Sequence, residues 1–466
     1  VSSCLRAYSA ARWLTQGELV VRQHLIDPFL TQTVTPAALE GDKPGTTNGL
    51  GDLLAKLLEF VDTVCLPLAT LASGCQASGA RFLFIARCFF VQVVPVLCSV
   101  AGGRVFHYTD PDRFHSNFTL ASRFVEALEE KCSCRNEVVV LRSTEAYAEW
   151  SKKWDLPLKA YFQLRSQSIT SSVEKVFETT VVDCPLTTDG SEFALTASEA
   201  VWSAAQRAWA KDVAVSAMGH RWLTLSLQVV GRYVHWATTA QAADKDKNPV
   251  PAEVILRLSS DVEKMALKLE GPLDGAIVQC LGDKSDAVRH ARVALAESVT
   301  QLRHAVAPLN TAAAASLARK CNETLKSVRG IAAMFRMTNQ PAPSTHSVFV
   351  PVVLEPLRQL HAKHGAESLR TLSVEVVNRV TERYAEVAGE LLMTARKTED
   401  SLKKLQRISS KQSGSAAAGS MTDMAKIVLQ LQLDVKEYAK QVAAVGVDTA
   451  QCEAYGRLVE QIGGLD

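Results

Sequence analysis

Residues 377–405 read VNRVTERYAEVAGELLMTARKTEDSLKKL, and this stretch decides the fold class of the chain. Its apolar positions alternate three and four residues apart at Val377, Val380, Tyr384, Val387 and Leu391, and the register continues through Ala395 and Thr398 to Leu402 and Leu405. This alternation predicts a long helix with one narrow apolar stripe, which would span about 40 Å. The stripe needs a partner helix. We expect that partner in the same chain, and a partner in another chain is the alternative.

The rest of the chain also favours helices. Aromatic residues make up only 6% of the sequence, while Ala, Leu and Val dominate, as is typical of packed helices. Residues 137–141 (EVVVL) allow a short strand, although an extended connector or a helical segment is preferred there. We therefore predict an all-α protein, built as an elongated stack of helical bundles.

Breaks in the helical pattern suggest domain boundaries. Loops are expected at residues 37–52, 185–191, 243–251 and 339–345, which are rich in Gly, Pro and polar residues. The predicted divisions are a helical bundle at 1–150, a second bundle at 151–340, a long amphipathic helix region at 341–408, a flexible linker at 409–420 and C-terminal helices at 421–466. Residues 420–423 (SMTD) resemble a capping box that opens the last long helix, and Gly446 is expected to end it.

Three further helices are expected in the second bundle, over about residues 161–179, 198–210 and 212–239.

The charge balance argues against a nucleic-acid-binding protein. The 51 Lys and Arg residues nearly equal the 49 Asp and Glu residues, which leaves a net charge of +2. A nucleic-acid reader would carry a clustered basic face, and the sequence has no long basic run. We therefore expect no nucleic-acid partner.

The cysteines predict neither a disulfide framework nor a metal site. Eleven of them are scattered along the chain, which favours reduced, buried thiols and a location on the cytosolic side of membranes. Cys132 and Cys134 form a single Cys-x-Cys pair without a second pair at ligand spacing. His361 and His364 stand three residues apart on a predicted helix, where an exposed face is the preferred interpretation.

Residues 82–100 (FLFIARCFFVQVVPVLCSV) are the best candidate for a membrane-spanning segment, because their length suits a bilayer. Arg87, Gln92 and Pro95 interrupt the segment, and an arginine is costly inside a bilayer. A buried helix of a bundle is therefore preferred to one that contacts a membrane.

Catalytic signatures are missing from the sequence. It has no Gly-Lys-Ser/Thr phosphate loop, no G-x-S-x-G nucleophile elbow and no H-E-x-x-H metal motif. The acidic pairs Glu129-Glu130 and Glu399-Asp400 are sequential helix residues that point in different directions. We therefore predict no enzyme, and no catalytic, cofactor-binding or metal-binding residue. An unrecognised helical active site would require a pocket with convergent polar groups.

Four blocks of sequence carry a family resemblance. They are CLRAY and VVRQHLIDPF at residues 4–8 and 20–29; residues 150–165, with WDLP and YFQLR; Trp202, Trp209 and HRWLTLSLQVVGRY at 220–233; and EDSLKKL at 399–405 followed by SMTDMAKIVLQLQLDV at 420–435. In this order they resemble the family of conserved oligomeric Golgi complex subunit 2. They match its C-terminal two thirds, so its N-terminal helical region is expected to be absent.

The resemblance implies a function that the amino-acid composition of the chain alone does not indicate. It implies a non-catalytic, exocyst-like subunit of a complex that tethers vesicles in retrograde transport within the Golgi. The implied partners are subunits 1, 3 and 4 of the same lobe, together with SNAREs and Rab GTPases. The implied location is peripheral, on the cytosolic face of the Golgi membrane. The alternative is another helical scaffold, such as a solenoid adaptor or a subunit of a different tether.

The tryptophans are the remaining candidates for a docking patch. Trp202, Trp209 and Trp222 lie in predicted helices, where an exposed group of large aromatic side chains would dock a partner. Large aromatic residues in helices are more often part of the core. We therefore expect them to be buried, and we assign no binding residue.

Overall fold

The computed structural model describes residues 1–74, 81–188, 190–242, 250–283, 285–336, 340–409 and 421–464, without the side chains of 240–242, 368 and 405–409. Regular secondary structure in these ranges is helical, apart from one antiparallel bridge between Leu186 and Leu195. The all-α prediction is confirmed. The domain boundaries predicted from the sequence stay a prediction, and most of the predicted linker at 409–420 lies outside the described residues.

The α-helices are α1 Ser2–Ala10, α2 Leu14–Val21, α3 Asp27–Thr33, α4 Pro36–Glu40, α5 Leu50–Phe60, α6 Leu66–Ser73, α7 Val91–Ala101, α8 Pro111–Lys131, α9 Arg135–Ser143, α10 Glu145–Phe177, α11 Thr196–Ala208, α12 Gly219–Ala242, α13 Ala252–Lys268, α14 Asp274–Leu281, α15 Asp286–Leu325, α16 Gly330–Phe335, α17 Glu355–His364, α18 Arg370–Ser409, α19 Asp423–Ala444 and α20 Glu453–Gln461.

Several helices contain π-helical turns close to prolines. Such turns cover Arg22–Ile26 and Val61–Cys65, ahead of Pro28 and Pro67. A proline has no N–H group for the regular hydrogen-bond ladder, so the ladder is interrupted at these prolines. The chain nevertheless continues as helix, because the next α-helix begins directly after each π-helical turn.

The chain folds into two compact units. Unit 1 contains the described residues of Val1–Ser172, Ser203–Leu227 and Leu273–Arg292. Unit 2 contains those of Val173–Trp202, Gln228–Pro272 and Val293–Asp466. Contacts between α5 and α8, and between α9 and the π-helical turn Phe84–Phe90, help to build unit 1, whereas unit 2 is organised around α18 and its neighbours α19 and α20.

The long C-terminal helix is present as predicted. It is α18, which packs along α19 and α20 of the same chain and so confirms the expected intrachain partner. Its stripe residues Val377, Val380 and Tyr384 are fully buried. The Tyr384 ring meets the ring of Tyr438 from α19 edge to face, with centroids 5.4 Å apart. The apolar stripe is therefore the seam of unit 2.

Residues 137–141 belong to α9, which confirms the helical segment allowed there, and the strand and connector alternatives are wrong. Two helix boundaries differ from those expected. The helix expected to begin at Tyr161 is part of α10, which starts at Glu145 and contains Pro157 in its interior. The helix expected from Asp212 begins only at Gly219, because Asp212 closes a turn through a two-bond ion pair with Arg207.

The last long helix begins two residues later than the capping-box pattern suggested. Thr422 is the N-cap, and its side-chain oxygen accepts a hydrogen bond from the N–H of Ala425 at 3.2 Å. Ser420, the first residue of the proposed box, lies outside the described residues. At the other end, Gly446 has a φ angle of +75°, which confirms its predicted role after the helix C-terminus.

The apolar segment is mostly interior. Phe84–Ala101 is long and apolar enough to cross a membrane by length and composition, with a mean hydropathy of 2.0, yet 56% of this window is buried inside the fold. Phe84, Phe89 and Phe90 are each at most 1% exposed. These facts support the interpretation as a buried bundle helix.

Gly49 permits a close approach of backbone between α4 and α5, which gives a first prediction. A Cβ atom at Gly49 would lie 2.1 Å from the carbonyl oxygen of Ala38, so the backbone must shift in Gly49→Ala. We expect a loss of about 1–3 kcal/mol in the free energy of unfolding. The control is Gly51→Ala, whose Cβ meets only the Leu120 side chain at 3.8 Å. It should stabilise by up to about 1 kcal/mol. Urea denaturation followed by circular dichroism measures both, and equal effects would contradict the close approach.

Candidate functional site

The blocks that stand out in the sequence build an aromatic core in unit 1. Trp154 meets Phe106 and Phe118 edge to face, with ring centroids 4.7 and 5.2 Å apart. Trp150 packs against the same Trp154 ring at 5.8 Å. Such arrangements stabilise beyond the burial of apolar area. The particular residues at 150–154 are therefore required for packing.

A second half of this core surrounds Trp222, which is fully buried. Phe162 from α10 meets its ring at 4.7 Å. Nearby, the Tyr161 hydroxyl donates a 2.7 Å hydrogen bond to the carbonyl of Val213, and the Trp209 indole donates to the Ser226 hydroxyl at 3.1 Å. These two bonds join the blocks at 161–165 and 209–226 in one buried network.

Trp202 lies in unit 2 and is also buried, at 7% exposure. The Lys268 ammonium sits 4.9 Å from the centre of the Trp202 ring and 5.8 Å from that of Phe193. A cation over an aromatic face is attracted by the electrons of the ring. The expectation that Trp202, Trp209 and Trp222 belong to the core is confirmed, so they do not form an exposed docking patch.

Sequence reasoning missed a set of buried carboxylates. Asp261 on α13 is fully buried and accepts hydrogen bonds at 2.9 Å from the N–H groups of Ala194 and Leu195, just ahead of α11. Burial raises the pKa of Asp261, and the two backbone N–H donors oppose that rise. Asp261 therefore holds the segment that enters α11.

Asp434 on α19 also holds a separate segment of the chain by accepting hydrogen bonds from it. It is fully buried, and its two carboxylate oxygens accept bonds from the Ser347 N–H at 2.6 Å and the Ser347 hydroxyl at 2.7 Å. One and two turns earlier, Gln430 donates to the carbonyl of Thr345 and Lys426 to that of Gln340. Three polar side chains at four-residue spacing thus clamp the extended segment 340–347 along one face of α19.

In unit 1, the buried carboxylates of Glu18 and Glu137 likewise accept hydrogen bonds from backbone N–H groups. Glu18, 2% exposed, accepts the N–H of Leu83 at 3.1 Å. Glu137, 1% exposed, accepts the N–H groups of Ile85 and Ala86 at 3.0 and 3.3 Å. Burial raises the pKa of Glu18, while the Leu83 N–H and the Arg87 guanidinium lower it. Both carboxylates satisfy N–H groups where the apolar helix begins.

The thiols and imidazoles singled out in the sequence do not assemble a metal site. Among the described residues, no group of three or more His, Cys, Asp or Glu side chains is placed to hold an ion. Burial raises the pKa of Cys132 to about 12, so this thiol stays protonated at neutral pH. The Nε2 atom of His361 lies 2.7 Å from the hydroxyl oxygen of Ser373, which ties that ring to a neighbouring helix.

The acidic pairs form ion pairs with basic neighbours. Glu129 receives two 2.7 Å hydrogen bonds from the Arg142 guanidinium, and Glu399 pairs with Lys403 at 2.9 Å. Exposed pairs of this kind contribute at most about 1 kcal/mol each. They support helix packing, and neither offers two carboxylates facing a common substrate.

A polar cleft of unit 1 does not combine a nucleophile with a base. It encloses about 480 Å³ between α8 and α14 and is lined by His115 and Cys280. Burial lowers the pKa of His115, and burial raises the pKa of the Cys280 thiol. Both groups are therefore uncharged at neutral pH, unlike the thiolate–imidazolium pair of a cysteine nucleophile.

Comparison with protein families gives a match over most of the chain. Residues 152–435 match the family described as "COG complex component, COG2, C-terminal". The matched region includes the blocks around Trp154, Tyr161, Trp222 and Asp434. The hydrogen bonds of Tyr161, Asp261 and Asp434 lie within it, whereas Glu18 and Glu137 precede it.

Curated relatives extend the similarity to almost the whole chain. Conserved oligomeric Golgi complex subunit 2 of Homo sapiens is 26% identical over 99% of this chain and 68% of its own length. The Arabidopsis thaliana protein of the same name is 26% identical over 97% of the chain and 63% of its own length, and the Drosophila melanogaster protein 24% over 98% and 66%. The chain thus spans about two thirds of the length of these relatives.

The clamp on residues 340–347 predicts distinct effects for two substitutions of Asp434. Asp434→Ala leaves the Ser347 N–H without its acceptor, and we expect a loss of about 1–3 kcal/mol in the free energy of unfolding. Asp434→Asn keeps an oxygen for that N–H and should cost less. Urea denaturation at pH 7 measures the free energy of unfolding of both variants. Equal losses for Asp434→Ala and Asp434→Asn would contradict the role of this side chain as the acceptor for the Ser347 N–H.

The raised pKa of Asp434 predicts a pH dependence with a defined sign. Between the unfolded pKa near 3.8 and the higher folded pKa, the folded state binds more protons than the unfolded state. The contribution of this group to stability therefore increases as pH falls from 7 toward 4. Relative to Asp434→Asn, which does not titrate, wild type should gain stability over that range. If the difference in free energy of unfolding between wild type and Asp434→Asn stayed constant or decreased as the pH fell, the raised pKa would be contradicted.

Proposed function

The chain belongs to the family of COG complex component COG2, and from that premise we propose that it is a non-catalytic subunit of a Golgi vesicle-tethering complex. Membership of this family implies association with the Golgi and assembly with other subunits of the complex. The match over residues 152–435 is the observation that carries the proposal.

The chemistry of the described residues supports a role without catalysis. The buried carboxylates Asp261 and Asp434 are occupied by backbone N–H groups. Burial keeps the Cys132 and Cys280 thiols protonated, and Glu129 is paired with Arg142. Groups that an enzyme would direct at a substrate are used here to hold helices and loops in place.

The proposed partners follow from the family. Subunits 1, 3 and 4 would form one lobe with this chain, and SNAREs and Rab GTPases would contact the assembled complex. The proposed location is the cytosolic face of the Golgi membrane, reached through the complex. A tether acts by presenting separate protein surfaces, and helical bundles supply such surfaces while each buries its own apolar stripe. The proposed activity is therefore capture of retrograde vesicles within the Golgi.

A different helical scaffold is the competing function. A solenoid adaptor or a subunit of another tether would share the all-α fold and would likewise need no catalytic groups. The match to the COG2 family favours the Golgi tether over this alternative.

Affinity purification tests the proposal. The full-length tagged protein is recovered from its native cells, with residues 1–466 purified in parallel. We expect the full-length form to bring down the other subunits of the complex, identified by mass spectrometry. Their recovery with residues 1–466 as well would locate assembly contacts in the two units. Failure of both baits to recover any subunit of the complex, from cells in which the other subunits are detected, would contradict the proposed function.

A further inference from the structure

The seam along α18 is covered over only part of its length. The α20 helix ends at Gln461, whose side chain lies directly over Gly389. Beyond Gly389, α18 continues for 20 residues to Ser409, which corresponds to about 30 Å. The apolar stripe continues on this extension through Ala395, Thr398 and Leu402, which are only half-buried.

These half-buried residues form one side of an open groove. Ala332 on α16 and Met424 and Ile427 at the start of α19 form its other sides, and the groove encloses about 280 Å³. Its surface is mostly apolar, and its small residues Ala332, Ala395 and Thr398 permit a close approach by another backbone. Three helices thus surround a space that a fourth helix would fill in a bundle.

We propose that this groove binds an amphipathic α-helix supplied by another subunit of the same complex, with a carboxylate placed opposite Arg336. The inference rests on the proposed function and adds to it a defined assembly surface on unit 2.

Periodicity argues for a helical occupant. The stripe of α18 continues from the segment covered by α20 into the groove at steps of three or four residues, with two successive steps of four from Val387 to Ala395. A stripe of this spacing is matched by apolar residues at i, i+3, i+4 and i+7 of a partner helix. The volume lies at the lower limit of small-molecule pockets, about 300–1,000 Å³, so it suits a few inserted side chains better than a whole ligand.

Charge specifies one feature of the partner. Arg336 lines the groove, is exposed, and has no hydrogen-bonding side-chain or ion-pair partner within the described ranges. Two acidic residues, Glu399 and Asp423, also line the groove, and Lys403 pairs with Glu399 at 2.9 Å. A carboxylate on the incoming helix would therefore find an available guanidinium at the α16 end of the groove.

The sequence next to the groove argues against an occupant from this chain. Residues 410–420, which connect α18 to α19, read SKQSGSAAAGS. Their largest apolar side chain is that of alanine, which cannot supply the large apolar residues that would fill the space between Leu402 and Ile427. A helix from a second protein is better suited.

Site-specific photocrosslinking in the complete complex tests the inference. Benzoylphenylalanine is placed at Thr394 of the full-length protein, an exposed residue at the edge of the groove, and the complex is purified after irradiation. The matched control carries it at Met393, which lies on the same helix, is 60% exposed and does not line the groove. We expect Thr394 to crosslink to an amphipathic helix of another subunit that carries a nearby acidic residue, and Met393 not to reach that helix.

Two further variants show whether the contact has the proposed chemistry. With the crosslinker at Thr394, Thr398→Trp should abolish the intersubunit product because the indole fills the groove, and Arg336→Glu should weaken it by charge repulsion. Met393→Trp should leave it unchanged. Circular dichroism of each variant establishes that the protein is folded.

The outcomes separate the inference from the proposed function. Products that form only within this chain, with a protein outside the complex, or not at all would overturn the inference while the complex still co-purifies. Failure of the complex to co-purify would overturn the proposed function and the inference together.

Discussion

Buried carboxylates that accept backbone N–H groups are the interaction on which both units depend. Asp261 and Asp434 are fully buried, and Glu18 and Glu137 are nearly so. Each accepts N–H groups of a chain segment that enters a helix or crosses one. An unsatisfied buried N–H costs about 1–3 kcal/mol, so the carboxylates allow the N–H groups of Leu83, Ile85 and Leu195 to be buried. Asp434 instead holds the half-buried Ser347 against α19. The desolvation of the carboxylates raises the pKa of Glu18, Asp261 and Asp434.

This arrangement bears directly on function. The most buried acidic side chains accept hydrogen bonds from backbone N–H groups. The aromatic residues around Trp154 and Trp222 pack in the core of unit 1, and Trp202 packs in that of unit 2. The polar chemistry of the chain is therefore largely engaged within the fold, which is consistent with a component of an assembly. Among the described residues, the groove beside α18 on unit 2 is an open and mostly apolar surface, which suits another protein better than a reaction.

The sequence predicted the parts of the fold that have a period. The stripe from Val377 to Leu391 was recognisable because helix geometry repeats every 3.6 residues and apolar residues follow that repeat. The sequence could not predict that Asp261 and Asp434 are buried, because a charged residue on a helix is normally exposed. The backbone N–H groups that these two carboxylates accept belong to segments far away in the chain. The turn closed by Asp212 was missed for a similar reason. In the turn, a tertiary contact, the hydrogen bond from Tyr161 to Val213, outweighs a local helical pattern.

Hydrogen–deuterium exchange tests the central role of the buried carboxylates most directly. Mass spectrometry with electron-transfer fragmentation resolves the amides of Ala194, Leu195 and Ser347, which lie outside α-helices yet donate to Asp261 or Asp434. The account predicts slow exchange at these amides, comparable to that of helix interiors, and faster exchange at Ser347 in Asp434→Ala. Exchange of these amides at the rate of exposed loops in the wild-type protein would contradict it.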